Sequence, residues 1–278
     1  MLIKNSEINK GIEYILNHID EKISIEDVAS HCNFSKYHFS RMFKEETGVS
    51  IYQFIKQIKI DQSAVALKIE PNKTITEVGE KFGYSSSNYS SAFSKQYYIS
   101  PIEFRKNTKS RSVSNPFYTN ECIYFKSFEY YNENITIQQL PEFNVLYEKH
   151  IGNYVDIETN WYKFMDKYKE YFSENTLLIE KSYNDPSISK INECVYDLCI
   201  TVSKDKAGKN IEKINSSTYA VYRFEGFIND IFGEFQGVFN VWLPKSSYKR
   251  SDGYALGIYR NIDKENNRVT MDLCIPIK

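Results

Sequence analysis

The sequence of 278 residues has little of what marks several large classes of protein. Its five cysteines are scattered and form no CxxC pair, which is typical of reduced thiols and argues against a disulfide scaffold. No apolar run approaches the roughly 18 residues that a membrane-spanning helix needs. The N-terminal stretch is too polar for a signal peptide. We therefore expect a soluble, cytoplasmic protein without a membrane partner.

Signatures of common chemistry are missing as well. The four histidines never stand at metal-ligand spacing from cysteines or acids, and the sequence has no GxSxG, P-loop or GxGxxG motif. Acidic pairs such as Asp20–Glu21 are interpreted as solvated helix faces. We expect no metal, no cofactor and no catalytic residue.

The pattern of apolar residues changes after about the first hundred residues, and the length suits two domains. Residues 1–108 predict an all-α domain, and residues 109–120 are polar with one proline and predict a linker. Residues 121–278 combine short apolar runs with two helical stretches, which predicts an α+β domain. The predicted fold class is therefore multidomain.

A period of 50 residues runs through the first domain. Residues 34–43 (FSKYHFSRMF) and 84–93 (YSSSNYSSAF) repeat one polar-aromatic phrase. A fixed period indicates one supersecondary unit used twice. Identical pairs at this period include Ile25/Ile75, Val28/Val78, Ser35/Ser85, Ser40/Ser90, Phe43/Phe93, Ser50/Ser100 and Phe54/Phe104.

Each copy carries the signals of a helix-turn-helix. A capping box starts the first helix, a small residue follows where a second helix must cross, and a residue that tolerates positive φ makes the turn. An ordinary pair of helical hairpins is the alternative, but two copies in register favour DNA binding. These positions are Ser24/Thr74, Ala29/Gly79 and Asn33/Gly83, and the second helices are predicted over residues 35–46 and 86–97.

The outward faces of the second helices predict the contacts to DNA. If Phe39 and Phe43 point inward, an arginine remains outside that can read guanine, and Asn88 can read adenine in the second copy. Free amides at the helix starts can bind phosphate. The alternative for each position taken alone is a solvated surface residue, above all for Lys44 and Lys95. The predicted DNA-binding residues are Lys36, Tyr37, Ser40, Arg41, Lys44, Ser24, Thr74, Ser86, Ser87, Asn88, Ser91 and Lys95.

Residues 51–69 lack glycine and proline and predict one helix between the two units. Its 19 residues span ~28 Å at ~1.5 Å each, and two readers on one face of B-DNA sit ~34 Å apart. A single chain can then reach two successive major grooves of double-stranded DNA.

These features resemble the DNA-binding domain of the AraC/XylS family of bacterial transcription regulators. The resemblance implies that Tyr37, Ser40 and Arg41 approach bases and that RNA polymerase is a partner. The second copy departs from the family, since Ser91 stands where arginine is common. We expect the first helix to dominate specificity. The resemblance rests on the stretch SKYHFSRMFKEETGVS and on Gly83, Tyr84, Ser100, Pro101, Phe104 and Arg105.

The last 160 residues contain a second, weaker internal repeat. With Gly152 set on Gly226, each half reads as a strand, a Gly-aromatic turn and a helix, over residues 154–172 and 229–242. Two such halves side by side leave a groove, which is a frequent place for a small-molecule site.

The order of motifs in this region resembles the GyrI-like effector-binding domain. The resemblance implies an aromatic groove for a small hydrophobic effector, often a cation, to which rings are attracted. The competing interpretation is that most of these rings belong to the core. The supporting motifs are HxGxY (His150, Gly152, Tyr154), Asn184–Pro186, Val195–Asp197, Gly226–Phe227, WLPKS, IYRN and IPIK. The predicted effector-binding residues are Tyr147, Tyr154, Trp161, Tyr222, Phe227, Trp242 and Tyr259.

One position departs from that family. A glutamate commonly stands two residues before the tyrosine of the IYRN motif, and here the position is Gly257. Glu225 or Glu234 are candidates to replace it, although nothing in the sequence shows that they face the groove. Without the acid we expect neutral or weakly charged ligands and no catalysis.

The leading hypothesis is a DNA-binding transcription regulator modulated by a small effector. Two alternatives stay open at this point. One is a GyrI-like hydrolase of small electrophiles fused to a DNA-binding domain, and the other is a protein that sequesters its ligand without relaying a signal.

Overall fold

A computed structural model describes residues 1–108, 112–117, 122–251 and 253–278. The chain divides into two compact units, one of Ile3–Ser110 and one of Arg111–Lys278 together with Met1–Leu2. The predicted linker over residues 109–120 lies partly outside the described residues. Its described part contains a short strand, β1 (Ser112–Ser114). No helix in the described ranges is both long and apolar enough to cross a membrane.

The first unit is all-α, as predicted. Two helix-turn-helix pairs, α2–α3 and α5–α6, flank the central helix α4, while α1 packs on the first pair and α7 on α4 and α6. The bounds of α4 and α6 agree with the prediction, and α3 is displaced by one residue. The helices are α1 (Ser6–Asn17), α2 (Ile25–His31), α3 (Lys36–Thr47), α4 (Ile51–Ile69), α5 (Ile75–Lys81), α6 (Ser86–Tyr97) and α7 (Pro101–Asn107).

The predicted capping boxes start α2 and α5. The Ser24 Oγ accepts a hydrogen bond from the Asp27 amide at 3.1 Å, and the Asp27 carboxylate accepts one from the Ser24 amide at 2.8 Å. Thr74 and Glu77 repeat the arrangement at 3.1 and 2.6 Å. These reciprocal bonds satisfy amides that a helix start leaves unpaired, so local sequence decides where both helices begin.

The turn residues adopt the left-handed conformation that the sequence predicts. Asn33 has φ 61° and Gly83 has φ 81°, and each backbone reverses there between the two helices of its pair. The second helix of each pair, α3 or α6, is called its reading helix. Both reading helices end at a further left-handed position, Gly48 with φ 77° and Tyr98 with φ 62°. A tyrosine tolerates this conformation less well than a glycine, so the second copy ends its helix at a cost.

The small residue in the second copy allows a close helix crossing. A Cβ built at Gly79 would lie 2.8–2.9 Å from Cβ, Cγ and Cδ1 of the Tyr89 side chain. Tyr89 itself is fully buried, and its hydroxyl donates to the Ser63 Oγ at 3.0 Å. Because the crowded atoms lie next to the backbone of α6, the two helices would have to separate to admit a methyl group.

Helix α4 packs against both helix-turn-helix pairs. Most of its residues are buried, including polar Lys59 and Asp61. The Lys59 Nζ donates to the backbone carbonyl oxygens of Glu21 at 2.6 Å and Phe82 at 3.3 Å. Burial lowers the Lys59 pKa. Asp61 accepts a hydrogen bond from the Tyr97 hydroxyl at 2.6 Å, so polar bonds as well as apolar packing attach α4 to both copies.

The second unit is α+β, as predicted, and is built on one antiparallel sheet. Its eight strands lie in the order β3-β8-β10-β9-β5-β6-β4-β7, and β1 and β2 pair separately. The elements are β1 (Ser112–Ser114), β2 (Cys122–Tyr124), α8 (Phe128–Asn134), β3 (Ile135–Leu140), β4 (Phe143–Ile151), α9 (Ile157–Lys167), β5 (Leu178–Ser182), β6 (Val195–Thr201), β7 (Ile211–Ile214), β8 (Ser217–Phe227), α10 (Ile231–Gly237), β9 (Ala255–Asp263) and β10 (Arg268–Pro276).

The sheet has two halves, each a strand followed by a helix and further strands, which confirms the predicted pseudo-repeat. The halves meet where β5 pairs with β9. The helices are shorter than predicted. A 3-10 turn precedes α9 because the Asn153 side chain accepts a hydrogen bond from the Val155 amide at 2.9 Å. In the second half, α10 passes into a π turn at Val238–Trp242.

Strand alternation separates two sets of side chains on the sheet. Trp161, Phe164 and Tyr196 share one cluster with partly buried Tyr154 and Tyr259. Tyr147 and its neighbours form another cluster on the opposite face. That face also holds a row of charges in which Lys149 and Lys181, both fully buried, lie on either side of Asp197.

We predict that Gly79→Ala destabilises the chain by about 1–3 kcal/mol, because the new methyl group overpacks the α5–α6 crossing. Urea unfolding followed by far-UV circular dichroism measures the loss. Gly208→Ala is the matched control, since the nearest atom to its added Cβ lies 3.6 Å away. Equal stability of both variants would show that the crossing tolerates the methyl group.

Candidate functional sites

The first reading helix, α3, presents a polar and cationic outer face. Tyr37 is 86% exposed, Arg41 and Lys44 are exposed, and Ser40 is half-buried. The Arg41 guanidinium lies 3.4 Å from His38 Nδ1 and 3.9 Å from Glu45. Such loose exposed contacts hold the side chain weakly and leave it able to bind a base or phosphate.

Lys36 is engaged at the start of the same helix. Its Nζ lies 2.5 Å from the Glu26 carboxylate, and this hydrogen bond raises the Lys36 pKa. A phosphate would have to compete with Glu26 for the ammonium group. The arrangement places Lys36 as a weaker contact than Arg41, although both remain predictions.

The second reading helix, α6, is equally exposed but carries less charge. Ser86, Ser87, Asn88, Ser91 and Lys95 all face outward. Lys95 is the only cation among them, and Ser91 stands at the position of Arg41 in the repeat. A face of hydroxyls and one amide can bond bases or phosphates but has less electrostatic attraction for DNA.

Ser24 and Thr74 are occupied in capping α2 and α5. Their hydroxyl oxygens accept hydrogen bonds from the Asp27 and Glu77 amides. Hydrogen bonds from the cap residues lower the pKa of both carboxyls, so both helix starts carry a carboxylate. A phosphate at either start would meet that negative charge, and phosphate binding by Ser24 and Thr74 stays a prediction.

In the second unit, three of the predicted effector residues gather in one cluster. Trp161 packs edge-on against Tyr259, with ring centroids 5.8 Å apart. The ring centroids of Tyr154 and Tyr196 lie 4.8 Å apart, and Tyr196 is not among the predicted effector residues. Phe117 contacts Tyr154 at 6.3 Å, so a ring from the segment before β2 also lies beside the cluster.

A carboxyl that no sequence motif marks lies among these rings. Glu180 on β5 accepts hydrogen bonds from the Ser182 hydroxyl at 3.1 Å and the Tyr259 hydroxyl at 3.2 Å. It is the direct cross-strand partner of Gly257. Burial raises the pKa of Glu180 to about 7, and the two hydroxyl donors oppose that rise. We call Glu180, Ser182, Tyr154, Trp161, Tyr196 and Tyr259 the Glu180 cluster.

Two buried polar groups of the Glu180 cluster, the Tyr154 hydroxyl and the Trp161 indole nitrogen, lack a hydrogen bond of normal geometry to a described residue. Outside that geometry, the Tyr154 hydroxyl interacts with Ser182 and the Trp161 indole with the Tyr259 hydroxyl. His150 stacks on Tyr196 with ring centroids 5.3 Å apart, and burial lowers its pKa to about 4, so its imidazole is neutral. Buried polar groups in folded proteins are usually bonded, and exceptions often mark functional sites.

The other four predicted effector residues lie elsewhere in the unit. Tyr147 is on the opposite face of the sheet, because alternate residues of β4 point to opposite sides. Tyr222 packs against Tyr131 on α8, and the Trp242 indole donates to the Asn132 side chain at 3.1 Å. Phe227 is 51% exposed at the end of β8. The structure therefore does not bring these four rings together with Glu180.

The two acids considered for the place of the family glutamate lie away from that cluster. Glu225 is exposed on β8, and Glu234 on α10 forms an ion pair with Lys126 at 2.7 Å. Glu180 carries no motif of its own and sits in a short strand. The one signal for it is that Gly257 needs a cross-strand neighbour, and strand pairing is not readable from one sequence.

Relatives of known identity match the first unit. MarA of Escherichia coli, "Multiple antibiotic resistance protein MarA", is 32% identical over 99 residues, which is 35% of this chain and 77% of that protein. "Transcriptional regulator Rob" of Salmonella typhimurium is 30% identical over 97 residues, 34% of this chain and 33% of Rob. The chain therefore spans only about a third of the length of Rob.

Solved structures resemble each unit separately. The C-terminal domain of the response regulator AraT of Geobacillus stearothermophilus has a TM-score of 0.35 and 28% identity, covering 37% of this chain and 86% of that one. The EcmrR C-terminal domain has a TM-score of 0.45 and 11% identity, covering 52% of this chain and 96% of that one.

Two helix-turn-helix pairs and a sheet unit with a Glu180 cluster define the class: a helix-turn-helix DNA-binding protein with a small-molecule-binding domain. Residues 28–107 match the helix-turn-helix domain family, and residues 133–278 match the GyrI-like small molecule binding domain family. The chain belongs to the GyrI-like family through its second unit, and its first unit is an AraC-type DNA-binding domain.

We predict that Glu180 makes the second unit less stable as pH rises. Its pKa of about 7 in the folded state exceeds the ordinary 4.5, so the folded state binds more protons between these values. The unfolding free energy that Glu180 contributes then falls from pH 4.5 to 7 by on the order of 3 kcal/mol. The free energy of unfolding of Glu180→Gln, relative to that of the wild type, should therefore rise by that amount between pH 4.5 and 7.

Urea unfolding followed by tryptophan fluorescence tests this dependence, since both tryptophans lie in the second unit. Glu225→Gln removes an exposed carboxyl from the same sheet and should track the wild type at every pH. A constant difference between Glu180→Gln and the wild type from pH 4.5 to 8 would contradict the raised pKa.

Proposed function

We propose that the chain is a transcription regulator in which residues 1–108 bind operator DNA and residues 121–278 bind an effector that modulates this binding. The duplicated helix-turn-helix is the observation that carries the proposal. Two exposed reading helices of the same length follow two turns of the same geometry, on either side of one stiff helix. This is the arrangement that two successive major grooves require.

The two reading helices contribute differently to DNA binding. Arg41, Tyr37 and Ser40 supply direct base contacts from α3, and the serines and Asn88 of α6 chiefly anchor the backbone. RNA polymerase is the further partner that the resemblance to AraC/XylS regulators supports.

The effector binds at the Glu180 cluster, where a carboxyl and four aromatic rings adjoin buried polar atoms that lack hydrogen bonds of normal geometry to described residues. Modulation requires that the effector bind one state of the protein more tightly than the other. Compounds that bind should therefore change the affinity for the operator.

Hydrolysis of small electrophiles is the second candidate function. One observation favours it: a carboxyl with a pKa near 7, hydrogen-bonded to the Tyr259 hydroxyl, is suited to general acid–base catalysis. The transcription regulators similar to the first unit favour the regulatory role instead. Turnover of an electrophile by the full chain, abolished in Glu180→Gln, would establish the enzyme.

We predict that Arg41→Ala weakens binding to the selected operator by about 1–3 kcal/mol and relaxes one base position, because a bidentate arginine–base contact is lost. Ser91→Ala at the matching position should weaken binding slightly and evenly across sequences and leave the base preference unchanged, because it removes a backbone contact. Selection from random duplexes, followed by titration of both variants at fixed salt, measures these effects. Equal affinity of wild type and Arg41→Ala for every duplex would refute direct reading by α3.

We predict that effectors quench or shift the fluorescence of Trp161 but not of Trp242, since only Trp161 lies in the Glu180 cluster. A panel of aromatic compounds, titrated into the full chain, should give a response that Trp161→Phe removes and Trp242→Phe retains. A response that survives in Trp161→Phe and disappears in Trp242→Phe would place the effector elsewhere in the unit.

A further inference from the structure

Lys59 on α4 is a buried cation that no carboxylate neutralises. Only 9% of its surface is exposed, and it forms no ion pair with a described residue. Its Nζ donates instead to the backbone carbonyl oxygens of Glu21 at 2.6 Å and Phe82 at 3.3 Å. Burial lowers the Lys59 pKa, and the exposed Asp20 opposes that shift only from a distance. Because removing an ammonium group from water is costly, the two carbonyl bonds must offset that cost.

Two other buried lysines of the described chain are held differently. Lys149 lies 2.7 Å from Asp197, and Lys181 lies 3.1 Å from the same carboxylate. These contacts stay within one sheet, whereas Lys59 bonds the backbone of two segments that lead into different helix-turn-helix pairs. An apolar side chain of similar volume often fills such a position without loss of stability. The ammonium group therefore points to a requirement beyond packing.

The two carbonyl oxygens lie where each pair is attached to the rest of the unit. Glu21 stands three residues before the cap of α2, and its oxygen also accepts from the Ile23 amide at 3.1 Å. Phe82 ends α5, and Gly83 after it makes the left-handed turn into α6. A Cβ built at Gly83 would lie 3.5 Å from the Lys59 Nζ. One nitrogen atom thus contacts the entry to the first pair and the turn of the second.

Two further contacts of α4 each hold one pair. The Phe54 ring packs edge-on against Phe43 of α3, with ring centroids 5.3 Å apart. Asp61 accepts a hydrogen bond from the Tyr97 hydroxyl of α6 at 2.6 Å. The loss of either contact would loosen one pair from α4. The loss of the Lys59 ammonium would release both segments at one point, so this residue is suited to fix one pair relative to the other.

We propose that Lys59 is a positioning residue for DNA recognition: its ammonium group fixes the second pair relative to the first and so sets the number of base pairs between the two recognition elements of the operator. This inference rests on the proposed reading of two successive major grooves. One added base pair moves the second element by about 3.4 Å and turns it by about 35°. A fixed pair of reading helices cannot follow that change, whereas pairs that shift against α4 can.

The selected operator with one base pair inserted or deleted between its two elements tests the proposal. The full wild-type chain should bind each altered duplex about tenfold to a hundredfold less tightly, because α6 loses its contacts. Lys59→Met keeps an unbranched side chain but has neither charge nor N–H donors. It should bind the altered duplexes only about twofold to threefold less tightly than the selected one. Its affinity for a duplex with the first element alone should equal that of the wild type.

Lys56→Met is the matched control. It removes the same charge from the same helix, at a residue without a hydrogen bond or ion pair to a described residue, and should keep the wild-type spacing preference. Lys59→Arg retains charge and donors and should restore most of that preference. Far-UV circular dichroism checks that each variant is folded during titration. If Lys59→Met is unfolded, Lys59→Gln takes its place with the same expectation, since its side chain is uncharged and one atom shorter.

A merely structural role would lower the affinity for every duplex by the same factor. That result, or an unchanged spacing preference in the folded variant, would overturn the proposal while the reading of two grooves stands. A preference that Lys56→Met also loses would overturn it too, because charge on α4 would then be the cause. If the wild type binds all spacings equally, the proposed reading of two grooves fails, and the role of Lys59 fails with it.

Discussion

The structure of the DNA-binding unit depends on one helix, α4, against which both copies of the repeat pack. Helix α4 follows the first reading helix and precedes the second pair, and Lys59 within it bonds carbonyl oxygens from both sides. A shift of α4 would therefore move both pairs. Because the spacer is rigid and buried, the separation of the two reading helices is a property of the fold and not of a dimer interface.

The second unit depends on the pairing of β5 with β9. That contact joins the two halves and places Glu180 directly opposite Gly257. A side chain at Gly257 would meet Met271 and approach Glu180, so the small residue leaves space beside the acid. Alternation along β5 then sends Glu180 to the face of Trp161 and Lys181 to the other. One register decides which acid is paired with lysine and which lies among the rings of the Glu180 cluster.

The two copies of the helix-turn-helix share a backbone and differ in chemistry. Caps, turns and buried aromatic residues recur at the same positions, since each fulfils a requirement of the fold. Arg41 and Ser91 occupy equivalent exposed sites, where the fold imposes little. Tyr98 shows the limit of the equivalence, because a tyrosine takes the left-handed position that Gly48 takes in the first copy.

The sequence alone determined the helices, their caps and the turn residues of the first unit, because these depend on residues within one or two turns of each other. It also grouped Tyr154, Trp161 and Tyr259, which the fold brings together, with Tyr147, Tyr222, Phe227 and Trp242, which the fold places elsewhere. The effector-binding role of all seven stays a prediction. Only the tertiary structure brought Glu180 to Tyr259, 79 positions further along the chain. Strand pairing decides such contacts, and no local pattern in one sequence specifies which strands adjoin.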